Sequence, residues 1–210
     1  SVCFNFKPED QRAVDAFQLK LTNALFEAVG MAVKSLAPAQ VTSGCGSADF
    51  AINRRKFPDK PVDHDVPVLR VSSPDGVTRA VLFGYACHNT TLVGDNLLVN
   101  GDYAGFAQIE LEQACPGATA LFLQGCAADQ NPYPRGTVEL ARQHGKSLAD
   151  AVRRVLAGEM RPVRAPLCTG FTEARLEFPP YGAELYQKEL QGTDIFKKRR
   201  AERMLALQQA

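Results

Sequence analysis

The sequence predicts a mixed α/β fold, with helices flanking a sheet that holds both parallel and antiparallel strands. Three observations carry this. Residues 66–72 and 78–86 are apolar, β-branched runs on either side of Pro74-Asp75-Gly76, a strong hairpin signal that makes the two strands antiparallel. From there the order is strand 78–86, helix 102–114, strand 118–124, helix 137–157; a right-handed crossover makes those two strands parallel. Within the first of them Val81-Leu82-Phe83 is apolar without alternation, as expected of a strand covered on both faces.

The elements follow in order. Pro8-Glu9-Asp10 opens an amphipathic helix, because Val14, Phe17, Leu21, Leu25, Val29 and Val33 recur at helical spacing until Leu36 and Pro38. Its acidic first turn suits the positive end of the helix dipole. Residues 40–46 and 49–53 read as short strands about a Gly44-Cys45-Gly46 turn, and 54–65 as a polar loop. In helix 102–114, Phe106, Ile109 and Leu111 are apolar. In helix 137–157, which ends at Gly158, Leu140, Leu148, Val152 and Val155 mark the inner side. Residues 162–178 read as two more strands, and the chain is polar and helical from Tyr181. We expect residues 1–178 to form one domain and 179–210 a helical continuation of it.

With 45% apolar and 22% charged residues, the 210-residue chain has the balance of an ordinary globular protein. A formal net charge of +1 supplies no field to draw it to nucleic acid or to an acidic membrane. No apolar run is long enough to span a bilayer, and no signal-peptide pattern is present. The chain starts Ser1-Val2-Cys3, as a mature form, a trimmed chain or an internal segment would. None of the six cysteines forms a Cys-x-x-Cys pair, which argues against a zinc knuckle; their scatter does not read as a disulfide scaffold. Cys87, within an apolar strand, reads as a small buried hydrophobe.

Chemistry concentrates where the two parallel strands end. Ligands of such sheets gather outside the carboxyl ends of the strands. There the first strand releases His88, and the second releases Gly125-Cys126-Ala127-Ala128-Asp129-Gln130-Asn131-Pro132. Two readings of His88 stand side by side: a metal ligand or general base, or a strand-end histidine bonded to a loop carbonyl. His64, in Asp63-His64-Asp65, reads as solvated loop, and His144, between Arg142 and Lys146, as an exposed helix face. A catalytic zinc takes three protein ligands and an open position, so with one histidine the remaining ligands are carboxylates, or they lie outside this chain, or there is no metal. Asp102 can cap the helix it opens or sit in the site beside His88. Cys126 can be a nucleophile with His88 as base and Asp129 orienting, or an inert strand-end thiol. Asp129 has the alternative role of bracing its own turn. The run Lys197-Lys198-Arg199-Arg200 reads as a solvated helix face, with a phosphate or lipid-headgroup contact as the alternative.

Taken together, His88-Asn89-Thr90-Thr91 and Leu98-Val99-Asn100-Gly101-Asp102-Tyr103-Ala104-Gly105-Phe106-Ala107 resemble a signature of the neutral/alkaline (non-lysosomal) ceramidase family. The histidine-to-aspartate spacing matches it without a gap. Gln124 to Pro132 resembles the next signature, which ends Gly-Asp-x-Ser-Pro-Asn, and Phe50-Ala51-Ile52-Asn53-Arg54-Arg55 resembles an Asn-Arg-Ser loop. The resemblance runs from Ala39 to Ala157 and is closest to the bacterial branch.

It implies a zinc-dependent hydrolase acting on the amide of a ceramide-like or other N-acyl lipid, within a larger α/β sandwich. By position His88 corresponds to one of two histidine ligands. The other histidine, a glutamate and a tyrosine are then expected outside this chain, which makes it the middle of a longer domain. Asp129 and Asn131 line the reacting centre, and Asp102, Gln124 and Gly125 belong to the substrate loops. Asn131 stands where the family has a serine, and an amide is no nucleophile; it can position groups or help hold an oxyanion. Ala128 stands where the family has a glycine. The resemblance also implies an extracytoplasmic or secreted location and peripheral membrane contact of the full protein.

Overall fold

The computed structural model describes residues 7–55, 60–166, 168–175 and 182–208. The described chain forms two compact units: residues 37–167, and the two terminal stretches taken together.

The central unit is built on a five-stranded sheet. Its strands are β1 (Gln40–Ser47), β3 (Asp65–Ser72), β4 (Thr78–Tyr85), β5 (Thr119–Gln124) and β7 (Arg161–Pro162), in the order β5-β4-β3-β1-β7. β3 and β4 form the expected hairpin, turned by Gly76 at φ +87°, where a residue with a β-carbon is strained. β4 and β5 are parallel, joined through helix α2 (Asp102–Ala114), so the sheet is mixed. A separate two-stranded ribbon pairs β2 (Ala51–Asn53) with β6 (Gln130–Pro132).

One sheet face is buried. Val66, Val68, Val81, Phe83, Tyr85 and Ala120 point into a core closed by α2 and helix α3 (Val138–Ala157), with Tyr103, Leu111, Leu148 and Val152 fully buried. Register explains the set: Val68 opposes Phe83, which opposes Phe122, and period-2 alternation sends all three to one side. The other face carries Leu69, Leu82 and Leu121 in register, with Leu121 and Leu123 48% and 61% exposed. Coverage of Val81-Leu82-Phe83 on both faces is therefore not what the described residues show: the helices cover Val81 and Phe83, while Leu82 is half-buried.

The Gly44-Cys45-Gly46 segment is not a turn. It lies inside β1, paired with β3, because its glycines face α3 rather than bend the chain. A β-carbon at Gly44 would sit 2.6 Å from Val155 Cγ1, and one at Gly46 2.8 Å from Val155 Cγ2. Helix α3 starts on Thr137, whose hydroxyl accepts the Leu140 N–H. The two strands expected in 162–178 reduce to β7; residues 163–166 and 168–175 are irregular, and 176–178 lie outside the described residues.

The terminal unit contains helices α1 (Pro8–Lys34), α4 (Ala183–Leu190) and α5 (Ile195–Gln208). α1 forms as its periodicity predicts, yet none of its residues is buried; Phe17, Phe26 and Val29 are more than 60% exposed. Asp194 caps α5 by accepting the Phe196 and Lys197 N–H groups, and Arg200 pairs with Glu189 across the α4–α5 turn. No helix among the described residues is long and apolar enough to cross a membrane.

Candidate functional site

Parallel pairing puts the carboxyl ends of β4 and β5 side by side: Tyr85 opposes Gln124, and Gly125 N–H donates to the Tyr85 carbonyl (3.0 Å). A β-carbon at Gly125 would meet the Ala86 backbone at 3.2–3.3 Å, so the glycine lets the strand ends close. Beyond this junction the His88 loop and the 125–132 loop run together. His88 N–H donates to the Gln130 carbonyl (3.0 Å), and Gly136 N–H to the Thr91 carbonyl (2.7 Å).

The polypeptide leading to His88 is held rigidly from below. The Tyr103 hydroxyl donates to the Cys87 carbonyl (2.6 Å), and the Tyr85 hydroxyl to the Ala48 carbonyl (2.7 Å). Burial raises the pKa of both phenols, so both remain protonated donors. Burial likewise pushes the Cys87 thiol up to about 12, against the lowering effect of its bond with Tyr103. Cys87 is a protonated core thiol, as its strand position predicts.

The imidazole of His88 makes no hydrogen bond to any described residue, so the loop-brace reading of this side chain has no bond to support it. Its Nδ1 is buried and unpartnered, which leaves Nε2 as the nitrogen reachable from outside. The same condition holds for Asn89 Oδ1, Thr90 Oγ1 and Thr91 Oγ1. Four consecutive residues thus hold buried polar atoms without partners, an uncommon expense in a folded chain.

Asp102 is buried at φ +53°, the left-handed region that residues with a β-carbon avoid. Its carboxylate accepts the Tyr103 N–H (2.7 Å) in the first turn of α2 and, ten residues back, the Leu92 N–H (2.9 Å). One group thereby both supports the helix start and fixes the loop that carries His88. Asp102→Ala is expected to cost about 2 kcal/mol, the worth of hydrogen bonds to a buried charge. Chemical denaturation measures it; a loss below ~0.5 kcal/mol, the level of a neutral surface substitution, would show that the carboxylate does not hold the loop.

Asp129 does not merely brace its own turn. Its Oδ2 accepts from Asn53 Nδ2 (2.8 Å), and its carbonyl accepts the Arg54 N–H (2.7 Å), tying the loop to β2. Arg54 and Arg55 both donate to the Ala128 carbonyl, at 2.9 and 3.2 Å. Asn131 sits between the Gln130 carbonyl and the Arg135 guanidinium; the orientation that satisfies its amide donates to the former and accepts from the latter. Exposed Gln124 accepts from Asn89 Nδ2 at 3.5 Å. Cys126 is exposed, and no hydrogen bond joins it to His88.

Two histidines depart from expectation. His64 is half-buried, its Nδ1 donating to the Ala48 carbonyl (2.8 Å) rather than lying in solvated loop. His144 is 6% exposed, stacked on Phe50 with ring centroids 4.6 Å apart, because it follows Leu140 and precedes Leu148 on the inner stripe of α3. That i, i+4 spacing was the available signal, outweighed by the charged neighbours Arg142 and Lys146. The Asn-Arg-Ser-like loop supplies Asn53 and Arg54 to the 125–132 loop through the β2–β6 ribbon, and Arg135, which no sequence signal marks, reaches Asn131 from its flank.

Among the described residues no group of three His, Cys, Asp or Glu side chains is gathered to hold a metal ion. The fit to a zinc is therefore that of one donor: His88, with Nε2 open.

No protein-family profile matches the chain. A curated relative, neutral ceramidase B of Dictyostelium discoideum, is 28% identical over 137 aligned residues, covering 55% of this chain and 19% of the relative. The chain thus spans about a fifth of that relative's length. Two solved structures share the fold at 20% identity. The neutral ceramidase from Pseudomonas aeruginosa superposes with a TM-score of 0.60 over 67% of this chain and 26% of its own, and a ceramidase complexed with C2 with 0.56 over 61% and 24%. Over the part that is matched, the chain is ceramidase-like in both sequence and fold.

Proposed function

We propose that this chain carries part of the active site of a zinc-dependent hydrolase that cleaves the amide of a ceramide-like or other N-acyl lipid. The observation that supports the reading best is the joining of His88, with its unpartnered imidazole, to the Asp129–Asn131 loop at the carboxyl ends of a parallel pair. The likeness to neutral ceramidases supplies the reaction class.

In this reading His88 holds the metal through Nε2, and the remaining ligands come from polypeptide outside these residues. A zinc bound there supplies Lewis acidity toward the amide carbonyl and a water acidified toward a pKa of ~7. The chain's own residues do the rest. Asp102 fixes the His88 loop. Asp129, held by Asn53, lines the reacting centre with a carboxylate, and Gln124 borders it from the end of β5. Asn131 has no nucleophilic atom; its amide N–H orients groups or stabilises the negative charge that develops as water attacks. An extracytoplasmic location and peripheral contact with a membrane belong to the same reading.

One inhibition assay on the complete protein, with a panel of N-acyl lipid substrates, tests it. A chelator is expected to abolish hydrolysis, zinc to restore it, and a thiol alkylator to leave it unchanged. Loss on alkylation with indifference to chelation would move the chemistry to Cys126. No bound zinc and no hydrolysis across the panel would make the domain a degenerate binding module.

A further inference from the structure

We infer that His144 is a positioning residue for the His88 loop, acting through the carbonyl of Pro134. The side chain of His144 is almost wholly buried, and its Nε2–H donates to that carbonyl at 2.7 Å. Its ring lies flat on Phe50, at 4.6 Å and 18°, which holds the imidazole plane and aims Nε2.

Pro134 lies in the segment 130–136, and that segment grips the His88 loop at both ends. The Gln130 carbonyl receives the His88 N–H (3.0 Å), and the Gly136 N–H donates to the Thr91 carbonyl (2.7 Å). The stretch between is exposed at Tyr133, Pro134 and Arg135 and has two further ties on Tyr133 and Pro134. Tyr133 N–H donates to the Phe50 carbonyl (2.8 Å), and Pro134 accepts from His144. The second tie connects the segment to α3, the helix packed on the sheet. Phe50 takes part in both, through its carbonyl and its ring. Beside the Tyr103 and Asp102 contacts, the four orphaned polar atoms of His88–Thr91 are therefore held relative to the core through segment 130–136, and His144 supplies a side-chain tie on that route.

A donor at Nε2 exists in both the neutral ring with its proton on that atom and the charged ring, so the contact survives a change of protonation. What it requires is a donor at that reach. Phenylalanine keeps the stack and removes the donor. Glutamine, whose amide nitrogen extends about as far as Nε2, restores it.

The effect on metal binding rests on the reading of His88 as a ligand; the effect on loop position does not, and the experiment separates them. In the complete protein, His144→Phe is expected to speed hydrogen exchange at the His88 and Gly136 amides about tenfold or more through local opening, with exchange along β3 and β4 unchanged. His144→Gln is expected to return it toward the parent value. Zinc affinity is expected to fall about 10–100-fold in the phenylalanine variant, the range for outer-shell residues, and to recover in the glutamine variant. Parent-like exchange in His144→Phe, or uniform acceleration that glutamine does not relieve, overturns the proposal. Rescued exchange in a protein that never binds zinc upholds it and removes only the metal reading. Nitrogen NMR of the unaltered protein is a variant-free check: the neutral ring must carry its proton on Nε2, and a neutral Nδ1–H tautomer overturns the proposal even where the phenylalanine variant does not fold.

Discussion

His88→Ala in the complete protein is expected to remove bound zinc and amide hydrolysis together while leaving the fold in place. The imidazole makes no hydrogen bond to a described residue, and its Nδ1 is buried without a partner. Deleting it therefore breaks no side-chain bond and removes one unsatisfied polar atom. The backbone bond from His88 N–H to the Gln130 carbonyl survives, since alanine retains the donor. The stability change is expected within about 1 kcal/mol, as for substitutions that break no buried network.

The functional loss should be far larger. Outer-shell substitutions cost about 10–100-fold in affinity or activity, and removing a ligand exceeds that. Metal analysis of purified protein, beside turnover of an N-acyl lipid, gives both readouts. A full complement of zinc with full turnover would remove His88 from the site. Cys126→Ala is the companion variant, and it is expected to retain zinc and turnover. The thiol is exposed and not bonded to His88, so nothing in the geometry prepares it as a nucleophile.

The largest expected loss of stability comes from Gly145→Ala. In an isolated helix this exchange is favourable by about 1 kcal/mol, since alanine is the better helix former. Here Gly145 is the point where α3 crosses α2. A β-carbon would lie 2.5 Å from Phe106 Cβ, 2.7 Å from the Tyr103 carbonyl oxygen and 3.0 Å from the Ala107 nitrogen. Two of the three are backbone atoms of α2, which cannot swing aside as a side-chain tip can. The helices must separate, and that opens the Tyr103, Leu111 and Leu148 core.

The net cost is expected to be about 3 kcal/mol, the upper part of the range for overpacking. Such a loss is a large share of a domain's total stability. Gly105→Ala is the control within α2, where an added β-carbon meets nothing within 4 Å; it is expected to stabilise by up to about 1 kcal/mol. Chemical denaturation of both variants decides the matter, and equal midpoints would show that the crossing tolerates a wider spacing. Tyr103 links this crossing to the site through its bond to the Cys87 carbonyl, so the glycine variant should also loosen the approach to His88.

Much of the fold was legible because local patterns and tertiary needs agree. The extent of α2, the span of α3, the Pro74-Asp75-Gly76 hairpin and the parallel β4–β5 pair follow from periodicity, turn chemistry and the crossover rule. Agreement failed where a residue serves a neighbour distant in sequence. Gly44 and Gly46 have the local signature of a turn, yet they are small so that Val155 can approach β1. Asp129 has the local chemistry of a turn brace, yet its carboxylate receives Asn53 from 76 residues away. His144 has charged neighbours in sequence and apolar ones in space. α1 has the stripe of a packed helix, yet none of its residues is buried.

By itself the sequence determined the strand-helix-strand-helix order over 78–157, the antiparallel β3–β4 hairpin, the parallel β4–β5 pair, and the release of His88 and the 125–132 loop at the carboxyl ends of that pair. Those features depend on spacing along the chain, and spacing is what a sequence states. Only the tertiary structure decided that the imidazole of His88 is without a hydrogen-bond partner, that Asp102 holds the loop from φ +53°, and that His144 ties the partner segment to α3. These depend on which donor meets which acceptor across a core. That pairing is fixed by packing distances of a few tenths of an ångström, which no residue type specifies alone.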